Sequence, residues 1–320
     1  MVKTGPCWYF ILGLQAAIFV RTTTTVGEYI ERDSPMGKLD RKVAVITGAA
    51  SGIGRATAAR FAGEGAAVVI SDLNREGGEA AVRDCKENGG NAVFQLADVS
   101  REEDIKASVD RAVKEFGRLD VIYNNAGLGG AVGPLENTTA DNWDRSFAIL
   151  LRAVFLGIKH AVPEMRKVGG GSIISTSSIA GLRGAAGLHA YCAAKAGVIS
   201  LTRSASIELA KDKIRVNCIC PGLIATPLTY NRIPGGEQVA SQLFAGFQPW
   251  PRAGRPEDIA AMALFLASND SEFVSGQAMV VDGAVTSGMG AGNLARGSQD
   301  TPSMLEDGWS GPSFQVKRPS

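Results

Sequence analysis

Val43-Ala44-Val45-Ile46-Thr47-Gly48-Ala49-Ala50-Ser51-Gly52-Ile53-Gly54 is the stretch on which the reading of the fold turns. Its first four residues form a short, largely β-branched strand, and a helical run follows the glycines through Phe61 to Glu64. Glycines after a strand and before a helix let the backbone approach a pyrophosphate, which then sits at the positive end of the helix. A glycine-rich string alone says little; in this position it points to a dinucleotide.

Outward from that turn the chain alternates strands and helices. The second strand, Ala67 to Ser71, ends at Asp72, about 20 residues past the glycines, where an acid can accept hydrogen bonds from the adenosine ribose hydroxyls. It would also repel a 2′-phosphate, since two unit charges at ~4 Å cost about 4 kcal/mol at an effective dielectric near 20. The plainer alternative is a solvated turn residue. A helix over about Glu76 to Glu87 leads through Asn88-Gly89-Gly90 to a strand over Ala92 to Leu96, followed by Asp98-Val99. Ser100 with Glu103 reads as a capping box for the next helix, which ends near Phe116-Gly117. Val121 to Tyr123 runs into Asn124-Asn125-Ala126-Gly127, which as a bare tetrapeptide could be any β-turn. A long helix is predicted from about Asp141 to Val168, a strand over Ile214 to Ile219, a last helix from Arg255-Pro256, and a seventh strand over Ala278 to Val281.

A second run carries the chemistry. Ser172 to Thr176 is β-branched, a small-residue loop follows, and a helix then bears Tyr191 and Lys195. Spaced i, i+4, the phenol and ammonium share one helix face. A free tyrosine titrates near pH ~10, and a neighbouring cation favours the phenolate. Ser178 closes the strand, where its hydroxyl can face the same point. A hydroxyl that donates to a substrate oxygen beside a phenol that exchanges the proton suits alcohol and carbonyl interconversion. Tyr-x-x-x-Lys by itself is more often only a surface pair.

With T-G-x-x-x-G-x-G, N-N-A-G and a serine ahead of Y-x-x-x-K together, the sequence resembles the short-chain dehydrogenase/reductase family over about Lys38 to Ser287. The resemblance implies a single-domain α/β, doubly wound (Rossmann) fold, with a seven-stranded parallel sheet and helices on both faces. It implies catalytic Ser178, Tyr191 and Lys195, and a cofactor site drawn from Gly48, Ser51, Ile53, Gly54, Asp72, Leu73, Asp98, Val99, Asn125, Ala126, Gly127, Tyr191, Lys195, Pro221, Gly222, Ile224 and Thr226. Asp98-Val99 matches the family's adenine contact. Pro221-Gly222-Leu223-Ile224-Ala225-Thr226 matches the segment around the nicotinamide, although Pro-Gly could simply end a strand. Relatives that prefer NADP tend to carry a basic residue beside Asp72 or the glycines; Ser51 and Leu73 are not basic, so NAD is favoured. One departure stands out: relatives carry an Asn, which holds a water near the catalytic lysine, where this chain has Leu150, and leucine cannot hydrogen-bond. The function implied is NAD-dependent interconversion of a secondary alcohol and its ketone. A 3-oxoacyl thioester reductase, or a dinucleotide-binding protein with weak catalysis, are the alternatives.

The 320 residues carry a net charge of +1 with Lys and Arg dispersed, no footprint for a nucleic acid. Five cysteines form no C-x-x-C pair and there are only two histidines, so no metal cluster is expected; the thiols read as free in a reducing, cytoplasmic setting. Residues 1–37 lie outside the pattern: Trp8 to Val20 is apolar but short of the ~20 residues of a membrane span, leaving a targeting segment, an anchor, or sequence upstream of a start at Met36. Residues 288–320 read as a low-complexity tail. Leu228 to Trp250, with Leu243, Phe244, Phe247 and Trp250, reads as a segment closing over a hydrophobic substrate, though an amphipathic core helix would look alike. A homotetramer, with a dimer as the fallback, is expected through the helices bearing Leu150 and Tyr191, whose apolar residues include Val154, Phe155, Ile158, Val198, Ile199 and Leu201.

Overall fold

The computed structural model describes residues 37–288 apart from residue 232, so the expectations for the two ends lie outside the described residues. Seven strands, β1 (Val43–Thr47), β2 (Ala67–Asp72), β3 (Asn91–Leu96), β4 (Val121–Asn124), β5 (Gly171–Thr176), β6 (Ile214–Pro221) and β7 (Ala278–Val281), form one sheet in the order β3-β2-β1-β4-β5-β6-β7. Every pairing is parallel. The order reverses between β1 and β4, and a crevice opens there beyond the strands' carboxyl ends.

Alternation along the strands divides the core between two faces. Ala44, Ile46, Val68, Ile70, Tyr123 and Ile174 pack against α1 (Gly52–Gly63) and α9 (Pro256–Ala267) through Phe61, Ala58, Ala263 and Leu266. Val45, Val69, Ile122, Ile173 and Val216 face α3 (Glu102–Phe116), α5 (Ala153–Lys167) and α6 (His189–Leu209) through Val109, Met165 and Val198. Because helices cover both faces, the central strands β1, β2 and β4 carry near-continuous apolar runs rather than strict polar alternation. The remaining helices are α2 (Arg75–Glu87), α4 (Ala140–Phe147), α7 (Pro227–Tyr230) and α8 (Gly236–Phe247).

Two local expectations are corrected. The Ser100/Glu103 capping box does not form: α3 starts at Glu102 with Arg101 as its N-cap and no side-chain cap. Asp98 instead accepts from the Ser100 N–H, Asp104 accepts from the Asp98 N–H, and Glu103 is taken by the Arg101 guanidinium. The acids Glu102, Glu103 and Asp104 answer the helix dipole in place of a cap. The long helix is also not uniform. Between α4 and α5 lies a π turn, Ala148–Arg152, centred on Leu150. A π turn widens the helix locally and re-aims the side chains on it. Below it, Gly157 lies so close to Asn124 that a Cβ there would collide with the Asn124 side chain, which sets the depth at which α5 meets β4. Ala140–Lys167 is the one stretch among the described residues long and apolar enough to cross a membrane, and half of its apolar window is buried inside this fold.

Candidate active site

A cleft of about 610 Å³ lies over the carboxyl ends of β1, β2, β4, β5 and β6. Every cofactor and catalytic residue expected from the sequence lines it except Gly54. Gly54 lies beneath: a Cβ there would collide with the Gly48 carbonyl and come 2.7 Å from Asn125 Nδ2, so the glycine lets α1 seat against the loop rather than touching a ligand. Gly48 and Gly52 hold positive φ values of 66° and 53°, a conformation that a side chain would strain, and a Cβ at Gly48 would reach within 2.7 Å of Ala126 Cα. The backbone cradle is therefore specified by these glycines. The amino end of α1, at Ser51, Gly52 and Ile53, opens into the cleft.

At one end of the cleft two carboxylates are anchored by main chain. Asp72 accepts from Ala50 N at 2.9 Å and Asn74 N at 2.8 Å, tying the end of β2 to the glycine loop. Leu73 lies exposed at the rim. Asp98 is held below the usual carboxylate range, chiefly by hydrogen bonds from Ser100. In the middle, the turn after β4 is a junction. Asn125 Nδ2 donates to the carbonyls of Thr47 and Gly48 at 3.1 and 3.2 Å, and its Oδ1 accepts from the Thr176 hydroxyl at 3.1 Å. The N–H groups of Asn125 and Ala126 donate to Thr47 Oγ1. These bonds lock β1, β4 and β5 at the level of the cleft floor. Across from them, Gly222 packs against Asp282, where a Cβ would come within 2.7 Å of the Asp282 Cα. The Thr226 N–H donates to Thr229 Oγ1 at 3.0 Å as α7 begins.

At the other end stand Ser178, Tyr191 and Lys195. Ser178, just past β5, caps the short turn Ile179–Gly181 by accepting from Ala180 N at 3.1 Å, and its hydroxyl faces the Tyr191 phenol closely enough to favour the phenolate. Lys195 is 3% exposed; its Nζ donates to the Thr176 carbonyl at 2.7 Å and lies 5.7 Å from the Tyr191 ring centroid. The expected depression of the phenol by this lysine is not what the structure displays. Burial pushes Tyr191 above the ordinary value, with the Ser178 hydroxyl pulling the other way, and burial depresses Lys195 to about 8. Both groups are desolvated, which disfavours each charged form, and the ammonium is turned to a carbonyl rather than to the phenol oxygen.

Leu150, 1% exposed, forms an apolar wall beside that ammonium: a Cβ on Gly127 would lie 3.4 Å from Leu150 Cδ2 and 3.9 Å from Lys195 Nζ. Ile149, from the same π turn, joins Leu128 and Leu228 in lining the cleft. The covering segment contributes less than its composition suggested. Pro227, Leu228, Thr229 and Asn231 line the cleft, whereas Leu243, Phe244, Phe247 and Trp250 do not; Phe247 is 65% and Trp250 58% exposed. Leu243 and Phe247 of α8 (Gly236–Phe247) stand exposed outside the cleft lining, which their residue types could not reveal. Missed altogether were Thr176 and Ser177, although both sit in the run that ends at Ser178, and Ile149, which only the π turn brings inward. Cys85, Cys192, Cys218 and Cys220 are free thiols, and among the described residues no group of three or more His, Cys, Asp or Glu is placed to hold a metal.

Residues 48–286 match a family model described as enoyl-(acyl carrier protein) reductase. A cyclohexanol dehydrogenase of Acinetobacter sp. (strain SE19) is 41% identical over 250 residues, covering 78% of this chain and 97% of the relative. The crystal structure of levodione reductase superposes with a TM-score of 0.74 at 36% identity, over 78% of this chain and all of that one. That of 7α-hydroxysteroid dehydrogenase, complexed with NADH and 7-oxo glycochenodeoxycholic acid, gives 0.72 at 35% identity, over 77% of this chain and 94% of that one. The dinucleotide cradle, the Ser–Tyr–Lys constellation and relatives of this similarity agree: the chain belongs to the short-chain dehydrogenase/reductase family, an oxidoreductase that interconverts a secondary alcohol and its ketone.

Proposed function

We propose that the protein interconverts a neutral cyclic secondary alcohol and its ketone with NAD as the cofactor. The observation that carries this reading is the meeting of Ser178, Tyr191 and Lys195 at the apolar end of a cleft whose far end holds Asp72 without a basic neighbour at Ser51 or Leu73. The residues fit a dinucleotide: glycines of positive φ leave room for a phosphate against the backbone, and the open amino end of α1 complements its charge. Gly48, Ser51, Ile53, Asp72, Leu73, Asp98, Val99, Asn125, Ala126, Gly127, Pro221, Gly222, Ile224 and Thr226 would hold it, with Lys195 and Tyr191 beside the nicotinamide ribose. Bound NAD supplies the hydride acceptor, or in the reverse direction NADH the donor.

The chain's own groups manage the proton and the oxygen. Ser178 Oγ donates a hydrogen bond to the substrate oxygen and fixes its distance from the phenol. Tyr191 Oη removes the hydroxyl proton in oxidation and returns it in reduction. Lys195 holds its ammonium 5.7 Å from the Tyr191 ring, where a positive charge would favour the phenolate against the burial that raises the phenol. Leu128, Ile149, Leu150 and Leu228 exclude water around the ring. The cyclohexanol, levodione and steroid relatives, all named for cyclic compounds, support the ring; Asp72 supports NAD over NADP. A binding protein with weak catalysis is kept as a second reading on the single ground of Leu150.

Turnover of cyclohexanol, a steroid alcohol and an acyclic 2-alcohol with NAD and with NADP tests the reading. The expected outcome is NAD-linked oxidation fastest on a ring alcohol. Tight NADH binding with no turnover of any alcohol or ketone would replace it with the binding reading.

Cytoplasmic location and a homotetramer belong to the same proposal. Four of the residues expected at the helix interfaces, Val154, Ile158, Val198 and Ile199, turn into the molecule's own core, while Phe155 and Ile207 on α5 and α6 are exposed. Phe273, shortly before β7, and Val280 within it are exposed as well. Exposed large apolar side chains on these elements support an assembly of copies, and a dihedral tetramer is built from self-complementary contacts of this kind. A monomer by light scattering at micromolar concentration would refute it.

A further inference from the structure

Ser177 is 1% exposed and stands between the strand end and the catalytic helix. Its N–H donates to the Ile219 carbonyl at 2.7 Å, holding it to β6, and its Oγ donates to the Lys195 carbonyl at 2.8 Å. The adjacent Thr176 carbonyl accepts from Lys195 Nζ at 2.7 Å. One dipeptide therefore grips Lys195 at both ends, at the main-chain oxygen and at the ammonium. The next loop presses on the same peptide: a Cβ at Gly181 would lie 2.7 Å from the Lys195 carbonyl carbon and 2.9 Å from Ala196 N. A carbonyl in the body of a helix already accepts the helical i+4 N–H, and its second lone pair needs no partner. The Ser177 bond thus adds position rather than satisfying a group that would otherwise be orphaned.

We propose that Ser177 is a positioning residue whose hydroxyl pins the α6 peptide at Lys195, keeping the ammonium sealed in the cleft floor between Thr176 and Tyr191. The proposal rests on the reading above, in which Lys195 acts on the Tyr191 phenol. Without the pin, α6 loses its tie to β5 at that turn, water reaches Nζ, and the burial that depresses Lys195, opposed in part by Cys218 and Cys220 of β6, is relieved.

The test follows the Lys195 ammonium by 13Cε NMR in the full-length, cofactor-free protein, with the resonance assigned by its loss in Lys195→Met. The unmodified protein is expected to titrate near 8. Ser177→Ala should raise the midpoint by about one pH unit, because burial penalises the charged form and hydration removes the penalty. Ser177→Thr, which keeps the hydroxyl, should restore it. The melting temperature should stay within about 4 °C, since no buried partner is stranded. On a turned-over ring alcohol, Ser177→Ala should lower kcat about tenfold with KM little changed, and the basic limb of the kcat profile should move to higher pH. An unmoved Lys195 midpoint overturns the proposal, and so does an equal shift in Ser177→Thr, which would assign the effect to packing. Failure of the unmodified protein to turn over any alcohol removes the functional reading but leaves the titration to decide the role of Ser177.

Discussion

The two ends of the cleft are made of different material. At the β1–β2 end the walls are largely backbone: Gly48 and Gly52 in left-handed conformations, the open end of α1, and Asp72 tied by main-chain N–H groups to Ala50 and Asn74. At the β5–α6 end they are side chains delivered by separate segments, a π turn at Leu150, the loop after β5, and the start of α7. A backbone cradle depends on a few residues at fixed spacing. A wall of side chains depends on how distant elements pack, so neighbouring proteins can keep the first and alter the second.

That division makes the two ends separable by mutation, and the largest effect should come from the side-chain end. Tyr191→Phe removes the proton-exchanging oxygen and leaves the ring packed, so kcat should fall by about 10² to 10⁴ while the NADH dissociation constant hardly changes. A rate on the best substrate that survives Tyr191→Phe would show that the chemistry has been assigned to the wrong group. The intermediate effect belongs to the backbone end. Asp72→Ala should narrow the preference for NADH over NADPH roughly tenfold, about 1.4 kcal/mol, with kcat retained. Equal dissociation constants for the two cofactors in the unmodified protein would break the comparison at its source.

The smallest effect is expected at Leu150. Leu150→Asn places an amide near Lys195 Nζ, where a water could be held, but the ammonium already has the Thr176 carbonyl and Ser178 still faces the phenol. We expect kcat to change by no more than about threefold, under 1 kcal/mol of barrier. A large gain in kcat from this substitution would mean that the leucine blocks the proton path and that the natural chain is a poor catalyst.

Much of the molecule was legible from local pattern. The strand–glycine–helix turn, the acid ending β2, the i, i+4 pair on α6 and the serine after β5 are all short-range features whose geometry follows from backbone propensity and helix period. All seven strands stand where periodicity placed them, within a few residues. What failed was equally local in sequence but decided at a distance. The capping box gave way because Asp98 and Asp104 took over the turn, and the expected long helix is broken by the π turn at Leu150. By itself, the sequence determined the glycine cradle, the placing of Ser178, Tyr191 and Lys195 after and on neighbouring elements, and the order of strands and helices, since each rests on residue type at a fixed spacing. Only the tertiary structure decided the Leu150 wall, the turned-in Ile149 and the grip of Thr176 and Ser177 on Lys195, because those contacts join residues brought together by the packing of α5 and α6 on the sheet.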